Sequence, residues 1–262
     1  MRRGSLFWGS ILLIAGVLLL LDNLGILKVN IWGILWSLFL IALGVSFLWG
    51  VLFRKGFQEE VASVPLEGAS QAELRLRHGA GRLRLSAGTE PEDLLKGSFG
   101  GGVDIDRQRN GANLRVQLSV PAQMFPFFGW SGDRLDWTLQ VNRQVPLVLR
   151  VETGANESRL DLSELQVREI HLKSGASSTE VVMPVEAGFT RGEIESGAAS
   201  VRVIIPENVA ARIRVSSGLS EINVNPGRFP KSGDIYESPE YATAPNKVEL
   251  YIQSGVGSVF VG

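Results

Sequence analysis

A short segment, Lys173-Ser174-Gly175-Ala176-Ser177-Ser178, returns along this chain in recognisable variants. They are His78-Gly79-Ala80-Gly81, Thr153-Gly154-Ala155-Asn156, Ser196-Gly197-Ala198-Ala199, Ser217-Gly218-Leu219-Ser220 and Ser254-Gly255-Val256-Gly257. From Gly154 to Gly175, Gly197 and Gly218 the steps are 21, 22 and 21 residues. A fixed step of this size marks a repeat architecture in which each unit cannot bury its own apolar face and must stack on its neighbours. The flanks align in columns. Leu76, Val151, Leu172, Ile194, Val215 and Ile252 stand three residues before the glycines, and Leu85, Leu160, Val181, Val203, Val224 and Val261 stand six after. Apolar and polar residues alternate between these columns, as in strands with one buried face, and the buried phase slips by one residue at each glycine. The pattern predicts a β-solenoid of strand–corner–strand coils. Gly79, Gly154, Gly175, Gly197, Gly218 and Gly255 are its expected corners, where glycine is expected to supply positive φ.

The N-terminal fifth is of another kind. Gly4 to Leu21 is 18 residues without a charge and Ile31 to Phe53 is 23. At 1.5 Å per residue both are long enough to cross a hydrocarbon core. Asp22, Asn23, Gly25, Lys28 and Asn30 separate them, so residues 1–55 are expected to form a transmembrane helical hairpin with spans at about 4–21 and 31–53. Trp8, Trp32, Trp36 and Trp49 fall near the four interfaces, where indole is favoured. A cleavable signal peptide is disfavoured, because no small-x-small site follows the first span and a second span comes at once. Arg2 and Arg3 precede the hairpin, Arg54 and Lys55 follow it, and Lys28 stands alone between. The positive-inside rule then places both termini in the cytoplasm, as expected of a multi-pass membrane protein.

After the hairpin come an expected polar linker (56–65), an irregular region (66–146) and regular coils (147–262) interrupted by an insertion at 227–245. The first coil is expected at about Ala72–Ala87. Strand-like stretches at Ala112–Val120 and Leu135–Val141 follow, with turns at Gly100-Gly101-Gly102 and Asn110-Gly111.

Charge and chemistry narrow the function. From Val61 onward there are 21 Lys and Arg against 24 Asp and Glu, which is no footprint for nucleic acid. The chain has no cysteine, and its two histidines, His78 and His171, have no carboxylate at ligand spacing, so neither a metal site nor another cofactor is expected. Asp161, Glu180, Glu195 and Glu221 are spread singly over different coils, unlike the clustered acids of β-helical lyases and hydrolases. Gly97–Gly102 lacks the Lys-Ser/Thr of a phosphate loop and reads as a turn between strands. No catalytic residue is assigned; the chain reads as a non-enzyme.

Three surface features stand out. Arg75, Arg77, Arg82 and Arg84 share the outward phase of the first coil; they are either an ordinary solvated face or a contact for anionic lipid. Met124-Phe125-Pro126-Phe127-Phe128-Gly129-Trp130 is an aromatic run in a loop. Phe125, Phe127, Phe128 and Trp130 either plug the end of the first coil or contact a membrane or partner. The chain ends in Val259-Phe260-Val261-Gly262, inside a strand. Either the 236–245 loop caps this last rung, or Val259 and Val261 form an edge for association with a partner or a second copy.

The segments Trp137-x-Leu139-x-Val141-x-x-x-Val145-Pro146-Leu147-x-Leu149, Gly154-Ala155, Leu160-Asp161-Leu162-Ser163-x-Leu165, Tyr236-x-Ser238-x-x-Tyr241-x-x-Ala244-x-Asn246 and Gly255-x-Gly257-Ser258-Val259 resemble the bacterial toast-rack domains. The hairpin, with Leu18–Leu21 running into Asp22-Asn23-Leu24-Gly25, is similar to the membrane region of LiaI/LiaF-like envelope-stress proteins. The resemblance implies a membrane-anchored, non-enzymatic regulator or scaffold whose partner is another membrane protein such as a sensor kinase. The rival expectation is a structural or adhesive solenoid tethered on the outer face of the membrane.

Overall fold

The computed structural model describes residues 36, 37, 39–41, 43, 44, 59–121 and 135–262. The chain divides into two units, Met1–Gly56 and Phe57–Gly262. Most of the expected hairpin, and the aromatic run with Phe125, Phe127, Phe128 and Trp130, lie outside the described residues. Those described in the first unit are helical. Their large apolar side chains, Trp36, Phe39, Leu40, Ile41 and Leu43, are all more than half exposed. A helix apolar all round without protein cover is typical of a lipid-facing segment. Among the described residues no helix is long and apolar enough to cross a membrane.

The second unit is all β. Its strands are β1 (Glu60–Pro65), β2 (Gln71–Ala87), β3 (Asp93–Phe99), β4 (Asp104–Asn110), β5 (Asn113–Ser119), β6 (Trp137–Val141), β7 (Leu147–Asp161), β8 (Val167–Val182), β9 (Phe189–Ile204), β10 (Ala210–Val224), β11 (Lys231–Ser232), β12 (Ile235–Glu237) and β13 (Lys247–Val261). The six long strands, one per repeat, pair in parallel in the order β2-β7-β8-β9-β13-β10. Their register pairs the sequence columns residue for residue. Leu76, Val151, Leu172, Ile194, Ile252 and Val215 form one rung-to-rung ladder, and Leu85, Leu160, Val181, Val203, Val261 and Val224 another.

Each long strand changes its buried face at the glycine. In β7 the buried residues are Leu147, Leu149 and Val151 before Gly154, then Asn156, Ser158 and Leu160 after it. A strand presents alternate residues to one face, so both halves can meet one core only if the chain bends between them. The bend does not use positive φ at the repeated glycines. Left-handed backbone occurs instead two residues further on in the first and last repeats, at Gly81 (φ 106°) and Gly257 (φ 140°). The repeated glycines answer a different need, close approach along the stack. A Cβ added at Gly175, Gly197 or Gly218 would lie 3.0 Å from the carbonyl oxygen of the neighbouring rung's glycine, and one at Gly255 2.6 Å from that of Gly197. At Gly154 it would overlap the Gly79 carbonyl, whereas at Gly79, which starts the series, it would meet nothing within 4 Å among the described residues. Each carbonyl therefore packs where the next residue's side chain would stand.

The irregular 66–146 region builds the rung beside β2 from two separate strands. β5 pairs with the first half of β2 and β6 with the second, both in parallel. Antiparallel strands then extend this end: β4 on β5, joined through Gly111 (φ 61°), and β3 followed by β1 on β6. The stretch expected to be a linker up to residue 65 is thus partly sheet, because Glu60–Pro65 is β1, paired with β3. Trp137 is fully buried here, with Phe99 edge-on at 5.1 Å.

The largest departure from the expected order is at the C-terminus. The last strand in sequence, β13, lies between β9 and β10. Val259 pairs with Val201 on one side and Ile222 on the other, and Val261 with Val203 and Val224. Val259 and Val261 are buried and carry no free edge, so the association edge expected there is not at these residues. The physical reason lies in composition. β13 supplies five fully buried apolar side chains, Val248, Leu250, Ile252, Val259 and Val261, which suits an interior position. β10 carries Ser216, Ser217, Ser220, Glu221 and Asn223, all at least partly exposed, which suits an edge. The 227–245 insertion makes the detour possible. It forms the β11–β12 hairpin, lays β12 antiparallel along Arg212–Arg214 of β10, and buries Phe229. Ser238 accepts from the Ala211 amide at 2.9 Å and its own amide donates to the Ala211 carbonyl at 2.9 Å, fixing the return path.

Candidate functional site

The first halves of the long strands present one outward face whose charges sit in rows set by the parallel register. Arg77, Glu152, Lys173 and Glu195 follow one another on β2, β7, β8 and β9. Arg77 pairs with Glu152 at 3.2 Å and Lys173 with Glu195 at 3.0 Å. In the next row His171 contacts Glu193 at 3.0 Å and Glu169 at 3.5 Å. Alternating charge across neighbouring strands is favourable for a sheet surface, although each exposed pair contributes little. The acids separated by sequence stay separated. Glu180 pairs with Arg159 at 3.2 Å, Asp161 accepts from the Ser163 hydroxyl at 2.6 Å, and Glu195 belongs to the row above. Among the described residues no group of His, Cys, Asp or Glu could hold a metal ion.

An open groove of about 820 Å³ runs along the bend, floored by Gly175, Gly197, Gly218 and Gly255 and edged by Glu152, Lys173 and Glu195. The residue before the glycine is buried under the bend at His78, Ser174, Ser196 and Ser254, but not at Ser217. Ser196 donates to the Gln253 carbonyl at 3.5 Å, and the Ser220 and Ser254 hydroxyls lie 2.8 Å apart. His78 holds the same column position in β2. It is 1% exposed, packs on Trp137 at 5.0 Å between ring centres, and its Nε2 lies 2.7 Å from the Leu135 carbonyl. A carbonyl can only accept, so Nε2 carries the proton there and Nδ1 is bare. Burial lowers the His78 pKa, against smaller opposing effects of the Leu135 bond and Asp136, so the ring is neutral and structural.

The four arginines Arg75, Arg77, Arg82 and Arg84 do not make one bare patch. Arg75 and Arg77 precede the bend and Arg82 and Arg84 follow it. Three are engaged by carboxylates: Arg75 by Glu73 at 2.7 Å, Arg77 by Glu152 and Arg82 by Asp136 at 2.8 Å. The structure gathers a different set. Glu73, 8% exposed, accepts from Arg75 on its own strand, Arg115 on β5 and Arg150 on β7, at 2.7, 2.8 and 3.1 Å. Burial alone would raise the Glu73 pKa, but hydrogen bonds from Arg115 and Arg75 and their charge outweigh it, and the carboxyl is held below its usual range. Nothing in the sequence joins residues 73, 115 and 150; the link exists only because β5 and β7 flank β2.

At the far end of the stack, β12 covers only Arg212–Arg214 of β10. Beyond that, the outer edge of β10 has no strand partner among the described residues. Leu219 on that edge is 82% exposed, and Val256 beside it on β13 is 53% exposed.

Comparison with known proteins agrees with this architecture. A family model described as the N-terminal domain of toast_rack, DUF2154, matches residues 53–204, and a model of the LiaI-LiaF-like transmembrane region matches residues 6–48. No curated protein matches the chain. Among solved structures, the 1.95 Å crystal structure of a candidate cell adhesion protein from Clostridium sporogenes ATCC 15579 is similar. Its TM-score is 0.72 at 24% identity over 78% of this chain and 98% of that one, which shows a shared fold. With a LiaI-LiaF-like membrane region ahead of a stacked parallel sheet whose rungs close on a glycine ladder, the chain is a membrane protein and belongs to the toast-rack family.

Proposed function

We propose that this protein is a non-enzymatic, LiaF-like regulator or scaffold of the bacterial inner membrane. A two-span hairpin holds both termini and the solenoid on the cytoplasmic side, and the solenoid docks an envelope-stress partner such as a sensor kinase. The observation that carries this reading is the unfinished end of the stack: a β10 edge from Val215 to Val224 without a strand partner among the described residues, next to the exposed Leu219. Such an edge adds a strand from a partner or from a second copy, with main-chain bonds giving affinity and neighbouring side chains giving choice. On the outward face of the first half-strands, Arg77 pairs with Glu152 and Lys173 with Glu195. The aromatic run at Phe125–Trp130 is a second proposed contact, with membrane or partner.

A second reading is favoured by the Clostridium relative: an adhesive or structural solenoid held outside the membrane. Sidedness separates the two. With a reporter fused after Gly262, the regulatory reading expects activity only from a reporter that works in the cytoplasm. Activity only from one that works outside would overturn it in favour of adhesion.

A further inference from the structure

We propose that Arg75, Arg115 and Arg150, gathered by Glu73, form a binding site for a phosphate group, either free or borne on a lipid headgroup. One carboxylate faces three guanidinium groups on adjacent strands, so two positive charges stay uncompensated at one point of the sheet. The way each arginine is held matters more than the count. Arg115 and Arg150 each hydrogen-bond Glu73 through Nε, Arg115 to Oε2 and Arg150 to Oε1, so the two carboxylate oxygens hold arginines from both flanking strands. No other hydrogen bond or ion pair among the described residues engages either side chain. Both side chains are thus already fixed in place, and all three arginines are about two-fifths exposed, so part of each guanidinium is open to an anion from solvent. A guanidinium already held by a carboxylate loses less freedom when it binds an anion, which lowers the ordering cost. Phosphate oxygens accept paired N–H donors from such groups.

Val148 and Gln117 are the register partners of Glu73 and Arg75 on the flanking strands. Toward β8, His171 is the register partner of Arg150, and it contacts Glu169 and Glu193. Asp106 on β4, opposite Gln117, bounds the cluster on the other side.

The test uses the full chain in a neutral detergent, titrated with inorganic phosphate and separately with dihexanoyl phosphatidic acid. Chloride at matched ionic strength and dihexanoyl phosphatidylcholine are the blanks. Binding is read by calorimetry. Wild type is expected to bind phosphate above the chloride blank, and Arg115→Gln/Arg150→Gln to bind at least about tenfold more weakly, since charge-assisted bonds are lost. Arg150→Lys keeps the charge beside Glu73 but removes the outer pair of amines, and should also weaken binding. Arg84→Gln, on the other side of the bend, should not. Phosphatidic acid binding about tenfold or more tighter than phosphate would assign the site to a lipid headgroup; equal affinities would assign it to the phosphate group itself. The site is overturned if neither ligand exceeds its blank, or if Arg84→Gln weakens binding as much as the double variant. Unchanged affinity in both Arg115→Gln/Arg150→Gln and Arg150→Lys would overturn it as well.

Discussion

Gly154→Ala and Gly255→Ala should each destabilise the β unit by about 1–3 kcal/mol, the usual cost of forcing an extra carbon into a packed interior. The same substitution at Gly79 should be neutral or slightly stabilising. All three glycines hold the same place in the repeat. They differ in what lies above them: the Gly79 carbonyl where the Cβ of Gly154 would be, the Gly197 carbonyl 2.6 Å from that of Gly255, and, among the described residues, nothing within 4 Å at Gly79. None of the three is in the left-handed region, so alanine brings no φ penalty, and at Gly79 it only restricts the unfolded chain. Thermal melts of the three variants check this, at roughly 2–4 °C per kcal/mol for a unit of this size. A Gly79 variant as damaged as the other two would mean that backbone conformation, not close stacking, selects glycine.

Val259→Pro should unfold the C-terminal coils. Proline cannot donate to the ladder, and it is tolerated in sheets mainly at edges. Val259 is 1% exposed and has strands on both sides, so the lost bond leaves a buried acceptor unpaired, worth about 1–3 kcal/mol before any steric strain. Ending the chain at Asn246 should do more, because removing β13 separates β10 from β9 and strips Val201, Val203, Ile213 and Ile222 of their common neighbour. Circular dichroism melts and limited proteolysis read the effect. If β10 and β13 unfolded without loss to β9, or if Val259→Pro melted like wild type, the interior position of β13 would be in error.

The columns of the repeat were legible because stacking in register makes sequence periodicity and spatial neighbourhood the same thing: Leu76, Val151 and Leu172 align in sequence and touch in space. The order of the rungs was not legible. β10 and β13 share the same columns, so the period alone does not say which lies outside, and the polar second half of β10 becomes telling only once the order is known. Strand β4, Asp-Ile-Asp-Arg-Gln-Arg-Asn, carries one apolar residue and shows no alternation of its own; only the Asn110-Gly111 turn hinted at a strand there, and pairing with β5 makes it one. The glycines were recognisable as special, but one sequence cannot distinguish a residue chosen for positive φ from one chosen because a carbonyl occupies its side-chain position. Glu73 illustrates the same limit for the site. It reads as one polar residue in an alternating strand, and it becomes the hub of three arginines only through β5, forty residues on, and β7, more than seventy on.

The order of the stack is open to one direct measurement, since the chain has no cysteine of its own. Ser200 on β9, Ser258 on β13 and Glu221 on β10 lie in one row, with Ser258 in the middle and its hydroxyl 3.1 Å from that of Ser200. Neighbouring strands are about 4.8 Å apart and next-neighbours about twice that, beyond the roughly 7 Å limit for a disulfide. Under mild oxidation, Ser200→Cys with Ser258→Cys should cross-link nearly completely, and Ser200→Cys with Glu221→Cys should not. A disulfide between positions 200 and 221, with none between 200 and 258, would place β10 directly on β9 and contradict the interleaved stack.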